Sequence, residues 1–279
     1  MTRIDQLLAH AAQIDSPTAQ LDAELLLAFV LEKPRSYLYT WPDKTVTEAQ
    51  VAAFMTLLER RQRGEPVAYL LGRQGFWTLD LQVAKHTLIP RADTELLVES
   101  ALQLADASST LKVLDLGTGT GALALALASE RPLWAVTGVD RIESAVALAQ
   151  NNQRQLQLAN VEFLSSHWFS ALTAQRYDLI VSNPPYIADN DPHLQQGDVR
   201  FEPLSALVSG PDGLDDIRLI IAQAPSYLTA NGWLLLEHGF DQASAVRELL
   251  QQAGFIDVSS QRDLSGHQRV SLGRLPSLS

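Results

Sequence analysis

Apolar positions recur at helical spacing through the first part of the chain. Leucine and alanine crowd the stretch from Leu21 to Leu31, with Asp22 and Glu24 near its start. Ser16-Pro17 lies just upstream, and proline is pre-organised for a first helical turn. Farther on, Thr47 precedes Glu48, and Val51, Phe54, Met55, Leu57 and Leu58 keep the helical period as far as Arg60-Arg61-Gln62-Arg63-Gly64. Cations in a last turn followed by glycine favour a helix end. The pattern predicts a small helical domain over residues 1–72. The period then changes to two. Leu79, Leu81 and Val83 alternate with Asp80 and Gln82, the mark of a half-buried strand, so Phe76 to Val83 is expected to form part of a hairpin linker within residues 73–90. A further helix is expected from Thr94-Glu95, a cap followed by an acid.

From Leu111 onward short apolar runs alternate with helical stretches. The runs are Val113-Leu114, Trp134 to Val139, Val161 to Leu164, Leu179-Ile180-Val181 and Trp233 to Leu236; between them lie Ala122 to Ser129, Ile142 to Leu156 and Ile217 to Leu228. Strand–helix–strand alternation implies right-handed crossovers and a mostly parallel sheet covered on both faces. An α/β domain is therefore expected over residues 91–279. The run Arg269-Val270-Ser271-Leu272, with no helix after it, is expected as an antiparallel edge strand.

Composition narrows the picture. With 46% hydrophobic and 19% charged residues, the 279-residue chain has ordinary globular composition and enough apolar material for a sizeable core. A net charge of -11 disfavours a protein that wraps nucleic acid by neutralising phosphates. The absence of cysteine excludes disulfides, thiolate zinc sites and a cysteine nucleophile. The six histidines are scattered without metal-ligand spacing, so no metal is expected. Arg3, Asp5 and His10 interrupt the first residues, and no apolar stretch approaches the ~18 residues of a membrane span. A cytoplasmic protein is expected.

Two turns carry candidate chemistry. Asp115-Leu116-Gly117-Thr118-Gly119-Thr120-Gly121 follows a strand and opens a helix, where glycines let the backbone turn sharply and admit a ligand. The spacing is Gly-x-Gly-x-Gly, unlike the dinucleotide fingerprint. Asp140 closes the next strand, where a carboxylate can accept both hydroxyls of a ribose; the plainer reading is a loop aspartate capping the helix near Glu143. Asn183-Pro184-Pro185-Tyr186 stands at the end of another strand, the sheet edge where open α/β folds bind ligands. The plainer reading is a proline turn that stops a strand. An amide or exocyclic amine nitrogen is a poor nucleophile because its lone pair is delocalised. The Asn183 side-chain oxygen and the Pro184 carbonyl can accept from such an NH2 group and aim it at a methyl donor, while Tyr186 or the face of Pro185 stacks on the planar group. Catalysis of this kind is orientation and electrostatic placement.

These motifs resemble those of class I S-adenosylmethionine methyltransferases that act on planar nitrogens. More closely, the chain resembles the peptide chain release factor glutamine N5-methyltransferases, the HemK/PrmC family. The likeness extends along the chain through Gly64-Glu65-Pro66-Val67-Ala68-Tyr69-Leu70, Leu88-Ile89-Pro90-Arg91-Ala92-Asp93-Thr94-Glu95 and Gln195-Gln196-Gly197-Asp198-Val199-Arg200-Phe201-Glu202-Pro203. It implies a Rossmann-like methyltransferase domain with a mostly parallel seven-stranded sheet. It also implies S-adenosyl-L-methionine as cofactor, S-adenosyl-L-homocysteine as product, and methylation of the glutamine in the Gly-Gly-Gln motif of class I release factors, which modulates translation termination. On this resemblance Gly117, Thr118, Gly119, Thr120, Gly121, Asp140, Trp168 and Asn183 contact the cofactor, and Asn183, Pro184, Pro185 and Tyr186 the substrate amide. Trp168 would lie against the adenine; its alternative is an ordinary core tryptophan. His167 stands where the family commonly carries an acid, and the role of Arg91 stays open between the site and a salt bridge at the helix start. The ribosomal protein L3 glutamine methyltransferases depart from the Asp-Thr-Glu pattern at Asp93 to Glu95, which favours the release-factor branch.

The main competitor is a methyltransferase acting on an exocyclic amine of a nucleic acid base, which predicts a basic recognition region. Arg60 to Arg63 is the one short cationic run, and it reads first as a solvated helix end. A nicotinamide-dependent dehydrogenase leaves the Asn-Pro-Pro-Tyr turn without a use, and a non-enzymatic binding module leaves the contact positions without one. No nucleic acid or membrane partner is expected, and a monomer is.

Overall fold

The computed structural model describes residues 2–11, 14–172 and 175–277; the outermost positions of the two expected domains lie outside the described residues. The chain divides into two compact units, residues 1–73 with 193–201, and residues 74–192 with 202–279. Residues 74–90 thus belong to the second unit and residues 193–201 to the first.

The first unit is helical: α1 (Ile4–Ala11), α2 (Ala19–Leu31), α3 (Arg35–Thr40), α4 (Glu48–Gln62) and α5 (Val67–Leu71). Helix α2 starts later than Ser16-Pro17 suggests, with Thr18 at its N-cap. The Ser16 hydroxyl instead donates to Asp22 at 2.7 Å. Helix α4 begins as the sequence predicts, with a capping box in which the Thr47 hydroxyl accepts from Gln50 N–H and the Gln50 side chain accepts from Thr47 N–H. Ile4, Leu7, Leu26, Leu27, Leu38 and Phe54 form its core, each buried side chain contributing about 1.5–3 kcal/mol. The cationic run is not a solvated helix end. Arg61 is buried, donating to Asp22 at 2.7 Å and to Asp198 at 2.8 Å, and Arg60 pairs with Glu65 at 2.7 Å. Two of its charges therefore face carboxylates.

The second unit opens within the hairpin of β1 (Arg73–Phe76) and β2 (Leu79–Gln82), followed by a 3-10 turn at Ala92–Thr94 and α6 (Glu95–Gln103). Then come β3 (Lys112–Leu116), α7 (Ala122–Glu130), β4 (Ala135–Asp140), α8 (Glu143–Leu156), β5 (Val161–Ser165), β6 (Tyr177–Ser182), α9 (Asp215–Gln223), β7 (Leu228–Glu237), α10 (Ala243–Gln252), β8 (Ile256–Arg262) and β9 (Gln268–Arg274). The sheet has seven strands in the order β5-β4-β3-β6-β7-β9-β8. It is parallel from β5 through β7, and β9 runs antiparallel to both β7 and β8. The Arg269 to Leu272 run is therefore an antiparallel strand but not the edge. The edge is β8, whose sequence Ile-Asp-Val-Ser-Ser-Gln-Arg is too polar to announce a strand.

Successive residues of β3 point to opposite faces. Val113 joins the cluster built with α6 and α7 (Leu97, Val98, Leu125, Leu127), whereas Leu114 and Leu116 join the cluster built with α9 and α10 (Ile217, Ile220, Val246, Leu250). The sheet is thus buried on both sides, which fixes its strands and leaves their C-terminal ends to build a site. Thr94 does not cap α6: its side chain makes no cap hydrogen bond, and its backbone is already helical.

Candidate active site

The strand order reverses at β3, which lies between β4 and β6. Ligands of open α/β sheets bind at such a switch point, beyond the carboxyl ends of the strands. Register brings the candidate residues there. Leu116 lies opposite both Val139 and Ser182, and Ser182 opposite Leu236. The glycine turn after β3, Asp140 ending β4, Asn183 after β6 and Glu237 ending β7 consequently share one sheet edge. The Ser182 hydroxyl donates to the Leu116 carbonyl at 2.7 Å and ties the two central turns together.

Gly117 (φ 73°) and Gly119 (φ 55°) adopt the left-handed conformation that costs a side-chain-bearing residue about 1–3 kcal/mol. The turn is held by Gly117 and Thr118 N–H groups, both donating to the Val139 carbonyl at 2.9 Å. Gly119 has open space where a Cβ would stand, whereas a Cβ on Gly121 would come within about 3.0 Å of Leu125 and Phe163. Gly121 therefore serves helix–sheet packing, while Gly117, Thr118, Gly119 and Thr120 border the cavity. Asn152, buried in α8, donates to the Thr120 carbonyl at 2.9 Å and the Gln82 carbonyl at 3.0 Å, joining the turn to the hairpin.

Asp140 borders the same cavity. Its carboxylate accepts from Gly119 N–H at 2.9 Å and from Ile142 N–H at 2.9 Å. It therefore braces the glycine turn and the start of α8, the capping reading included, and still faces the cavity. Asp115 lies behind the turn, fully buried. Its Oδ2 accepts from the Thr118 hydroxyl at 2.6 Å, while Oδ1 has no hydrogen-bond partner among the described residues. Burial pushes this carboxyl up to about 7; the Thr118 hydrogen bond opposes the rise and the nearby Asp140 charge adds to it.

That shift makes a pH prediction. The native state holds the Asp115 proton more tightly than the unfolded chain, whose carboxyl has the ordinary value of 3.8. As pH rises from about 4 to about 7 the unfolded state loses the proton first, so this group's contribution to stability declines over that window and is flat above it. Asp115→Asn removes the ionisation. The stability of the variant relative to the parent, read from urea midpoints, is expected to climb from pH 4 to pH 7; a difference that stays constant refutes the assignment.

Trp168 lies 9% exposed on the cavity wall with a left-handed backbone (φ 50°). Its ring covers Gly117, where a Cβ would come within 3.2 Å of it. The indole N–H has no partner among the described residues. The Ser166 hydroxyl donates to the Trp168 carbonyl at 2.7 Å and accepts from Ala171 N–H at 3.0 Å, which locks the unusual turn. His167 is exposed beside it and also borders the cavity.

Of the Asn-Pro-Pro-Tyr turn, Asn183 and Pro185 border the cavity and Pro184 is buried. Tyr186 packs against the α9–α10 core cluster and donates its hydroxyl to Glu237 Oε1 at 3.3 Å. Pro185, not Tyr186, is thus the face that the turn shows to the cavity. Burial beside the Glu237 carboxylate holds the Tyr186 hydroxyl well above its usual range. Arg91 borders the cavity too, and its guanidinium pairs with buried Glu202, which also accepts from Ile89 N–H at 3.2 Å. The salt bridge of Arg91 therefore runs to a distant loop and not to its own helix.

Sequence reasoning missed several wall residues, among them Phe76, Thr94, Ile142 and Ser205. Ile142 gives the one retrospective signal, a large apolar side chain two residues past Asp140. Glu237 was also missed, because one acid closing a leucine-rich strand has no pattern around it. Among the described residues no helix is long and apolar enough to cross a membrane, and no cluster of histidine and carboxylate side chains is arranged for a metal.

A mostly parallel seven-stranded sheet ending in an antiparallel pair, with its cavity at the β3 switch point, is the methyltransferase fold. It matches a methyltransferase structure from Pyrococcus furiosus with a TM-score of 0.55 at 17% identity, over 72% of this chain and 91% of that one. It also matches the Thermus thermophilus 16S rRNA N2 G1207 methyltransferase, solved with AdoMet and guanosine, with a TM-score of 0.53 at 21% identity, over 73% and 49% of the two chains. Two family profiles match in sequence, "PrmC N-terminal domain" over residues 3–72 and "Methyltransferase small domain" over residues 92–198. Full-length similarity is closer still. The chain is 62% identical to the release factor glutamine methyltransferase of Pseudomonas aeruginosa, over 98% of this chain and 99% of that protein. It is 54% identical to that of Vibrio cholerae, over 93% and 90%. The chain belongs to the release factor glutamine methyltransferase family.

Proposed function

We propose that the protein transfers the methyl group of S-adenosyl-L-methionine to the side-chain amide nitrogen of the glutamine in the Gly-Gly-Gln motif of class I release factors, leaving S-adenosyl-L-homocysteine. The observation that carries this reading is the meeting of Asn183 and Pro185 with the glycine turn and Asp140 on one cavity wall, in a chain similar along its length to proteins of that name.

The residues present fit the cofactor. Gly119 offers open space at a left-handed turn, Asp140 a carboxylate for a ribose diol, and Trp168 a flat wall with an unpartnered indole N–H. Gly117, Thr118, Gly119, Thr120, Asp140 and Trp168 hold it, with Gly121 acting through packing. When bound, the cofactor supplies a methyl group on a positively charged sulfur leaving group. The chain's task is then to place the nucleophile. Asn183 Oδ1 and the Pro184 carbonyl accept from the substrate NH2 and turn its lone pair out of conjugation, Pro185 covers the planar group, and Tyr186 stiffens the turn from behind. No general base is required before transfer, because the amide proton becomes acidic only as the new N–C bond forms, and it then leaves to solvent as the S–CH3 bond breaks.

Residues 1–72 dock the release factor, residues 73–90 link, and residues 91–279 carry the chemistry. The enzyme acts in the cytoplasm, as a monomer, on protein and not on nucleic acid or membrane. One experiment tests the reading: incubation of the protein with labelled cofactor and either intact release factor or a short Gly-Gly-Gln peptide, then mass mapping. The label is expected on the glutamine, with a much lower KM for the intact factor. Label found on ribosomal protein L3 or on nucleic acid instead overturns the substrate, and equal KM values overturn the docking role.

A further inference from the structure

Large apolar side chains stand in the open at the same sheet edge as the site but outside its cavity. Phe240 follows β7 and is 59% exposed, and Leu264, in the turn between β8 and β9, is fully exposed. Because β9 runs antiparallel to β7, its start lies beside the end of β7 and brings that turn to the edge where the site is built. The Phe240 ring is held in place. The Arg269 guanidinium lies 5.8 Å from its centre, and the His267 ring lies 5.7 Å away at 53°. Asp263 fixes the turn: its N–H donates to the His267 carbonyl at 2.8 Å, and its carboxylate accepts from His267 N–H at 2.8 Å. An exposed aromatic that the fold already immobilises loses little further freedom when a partner covers it.

Two ties join this surface to the Asn-Pro-Pro-Tyr turn. Gln242, two residues past Phe240, donates to the Tyr186 carbonyl at 3.0 Å and accepts from Gly239 N–H at 2.8 Å. Arg269 also pairs with Asp93 at 3.8 Å, and the next residue, Thr94, hydrogen-bonds to the Asn183 side chain at 3.1 Å. Strand order then sets where a bound polypeptide can run. Strand β6 has β3 on one side and β7 on the other. The β3 side is taken by the glycine turn and Asp140, which serve the cofactor. A chain whose glutamine enters at Asn183 therefore has its way open over the end of β7. Phe240 and the β8–β9 turn lie there, and neither borders the cavity among the described residues. The local charge is already matched, since Arg269 faces Asp93 and also Asp263 at 3.3 Å. The surface thus asks for no ionic partner. It suits bare main chain, which can lie flat on an aromatic face with no side chain between. Two glycines ahead of a glutamine supply that.

We propose that Phe240, steadied by Arg269 and His267 and with Leu264 on the adjoining turn, is the platform on which the two glycines before the methyl-acceptor glutamine lie. The proposal rests on the release-factor reading above. Its test pairs a change in the protein with a change in the substrate. On a short Gly-Gly-Gln peptide, Phe240→Ala is expected to raise KM about tenfold, with the dissociation constant of S-adenosyl-L-methionine within about twofold of the parent. Phe240→Tyr keeps the ring and is expected to stay within about twofold in both. In the parent, an Ala-Ala-Gln peptide is expected to show a KM about fivefold or more above that of Gly-Gly-Gln, and in Phe240→Ala the two should differ by less than about twofold. A parent-like KM in Phe240→Ala, or an unchanged ratio between the peptides, overturns the proposal, since a merely structural Phe240 is blind to the substrate's glycines. A second measurement does not depend on turnover. With S-adenosyl-L-homocysteine bound, the backbone amides of residues 239–242 and 263–267 are expected to exchange about fivefold or more slowly once intact release factor is added; unchanged exchange overturns the proposal. A parent enzyme that labels neither factor nor peptide sinks the substrate reading, whereas a parent that labels both while Phe240→Ala keeps its KM sinks the platform alone.

Discussion

Asn183→Ala is expected to lower kcat for methyl transfer by about 10²–10³-fold, the range found when one preorganised polar contact to a reacting group is removed. The side chain is half-buried on the cavity wall and, among the described residues, has one hydrogen bond, to Thr94. Losing that bond costs on the order of 1 kcal/mol, so the fold should survive with a melting temperature only a few degrees lower. The loss should therefore sit in kcat and not in folding. Steady-state kinetics with purified release factor, beside a thermal melt, checks both halves. Near-parental turnover in a folded Asn183→Ala sinks the orientation mechanism, because no other side-chain acceptor of the turn borders the cavity among the described residues.

Asp140→Ala is expected to weaken cofactor binding by about 10²-fold, the equivalent of some 3 kcal/mol for charge-assisted hydrogen bonds to a diol. The structure adds a second route to the same loss. Both carboxylate oxygens already accept backbone N–H groups, of Gly119 and Ile142, so the substitution also loosens the glycine turn. Asp140→Asn keeps one acceptor and should fall between parent and alanine variant. With saturating cofactor, kcat should change far less than in Asn183→Ala, since Asp140 ends β4 and the methyl acceptor meets the turn after β6. Calorimetric titration with S-adenosyl-L-methionine measures the first effect, and an unchanged dissociation constant would remove Asp140 from the site.

The two predictions divide the site as the strands do. On the proposed function, residues at the ends of β3 and β4 bind, the turn after β6 orients, and the end of β7 supports the orienting turn from behind. This division explains why burial-shifted carboxyls occur on both halves. Asp115 and Glu237 each sit one layer below the cavity, where desolvation raises them to about 7. Each accepts from a hydroxyl of a turn at the sheet edge: Thr118 of the glycine turn and Tyr186 of the Asn-Pro-Pro-Tyr turn.

Much of this was legible in the sequence. The strands from β3 to β7 and the helices between them follow from apolar runs alternating with helical periods. The glycine turn, Asp140 and the Asn-Pro-Pro-Tyr turn follow from residue types that only a tight turn or a ligand edge requires. Patterns of this sort are local, because the period of a strand or helix and the φ preference of glycine or proline act within a few residues. What escaped was non-local. The polar strand β8 exists because β9 pairs with it, so Arg269 to Leu272 became an interior strand. Arg61 looked like part of a solvated helix end until folding placed Asp22 and Asp198 around it. Thr94 looked like a helix cap, yet its hydroxyl faces the Asn183 amide.

The sequence by itself determined the class of sheet, the turns at its edge and the planar-nitrogen chemistry those turns serve, since each rests on the conformational limits of neighbouring residues. The tertiary structure alone decided which of those residues face the cavity, putting Pro185 there and Tyr186 behind it, and which buried groups hydrogen-bond to them. Register between strands far apart in the chain brings Glu237 up to the Asn183 turn, and no local rule of propensity or spacing contains that register.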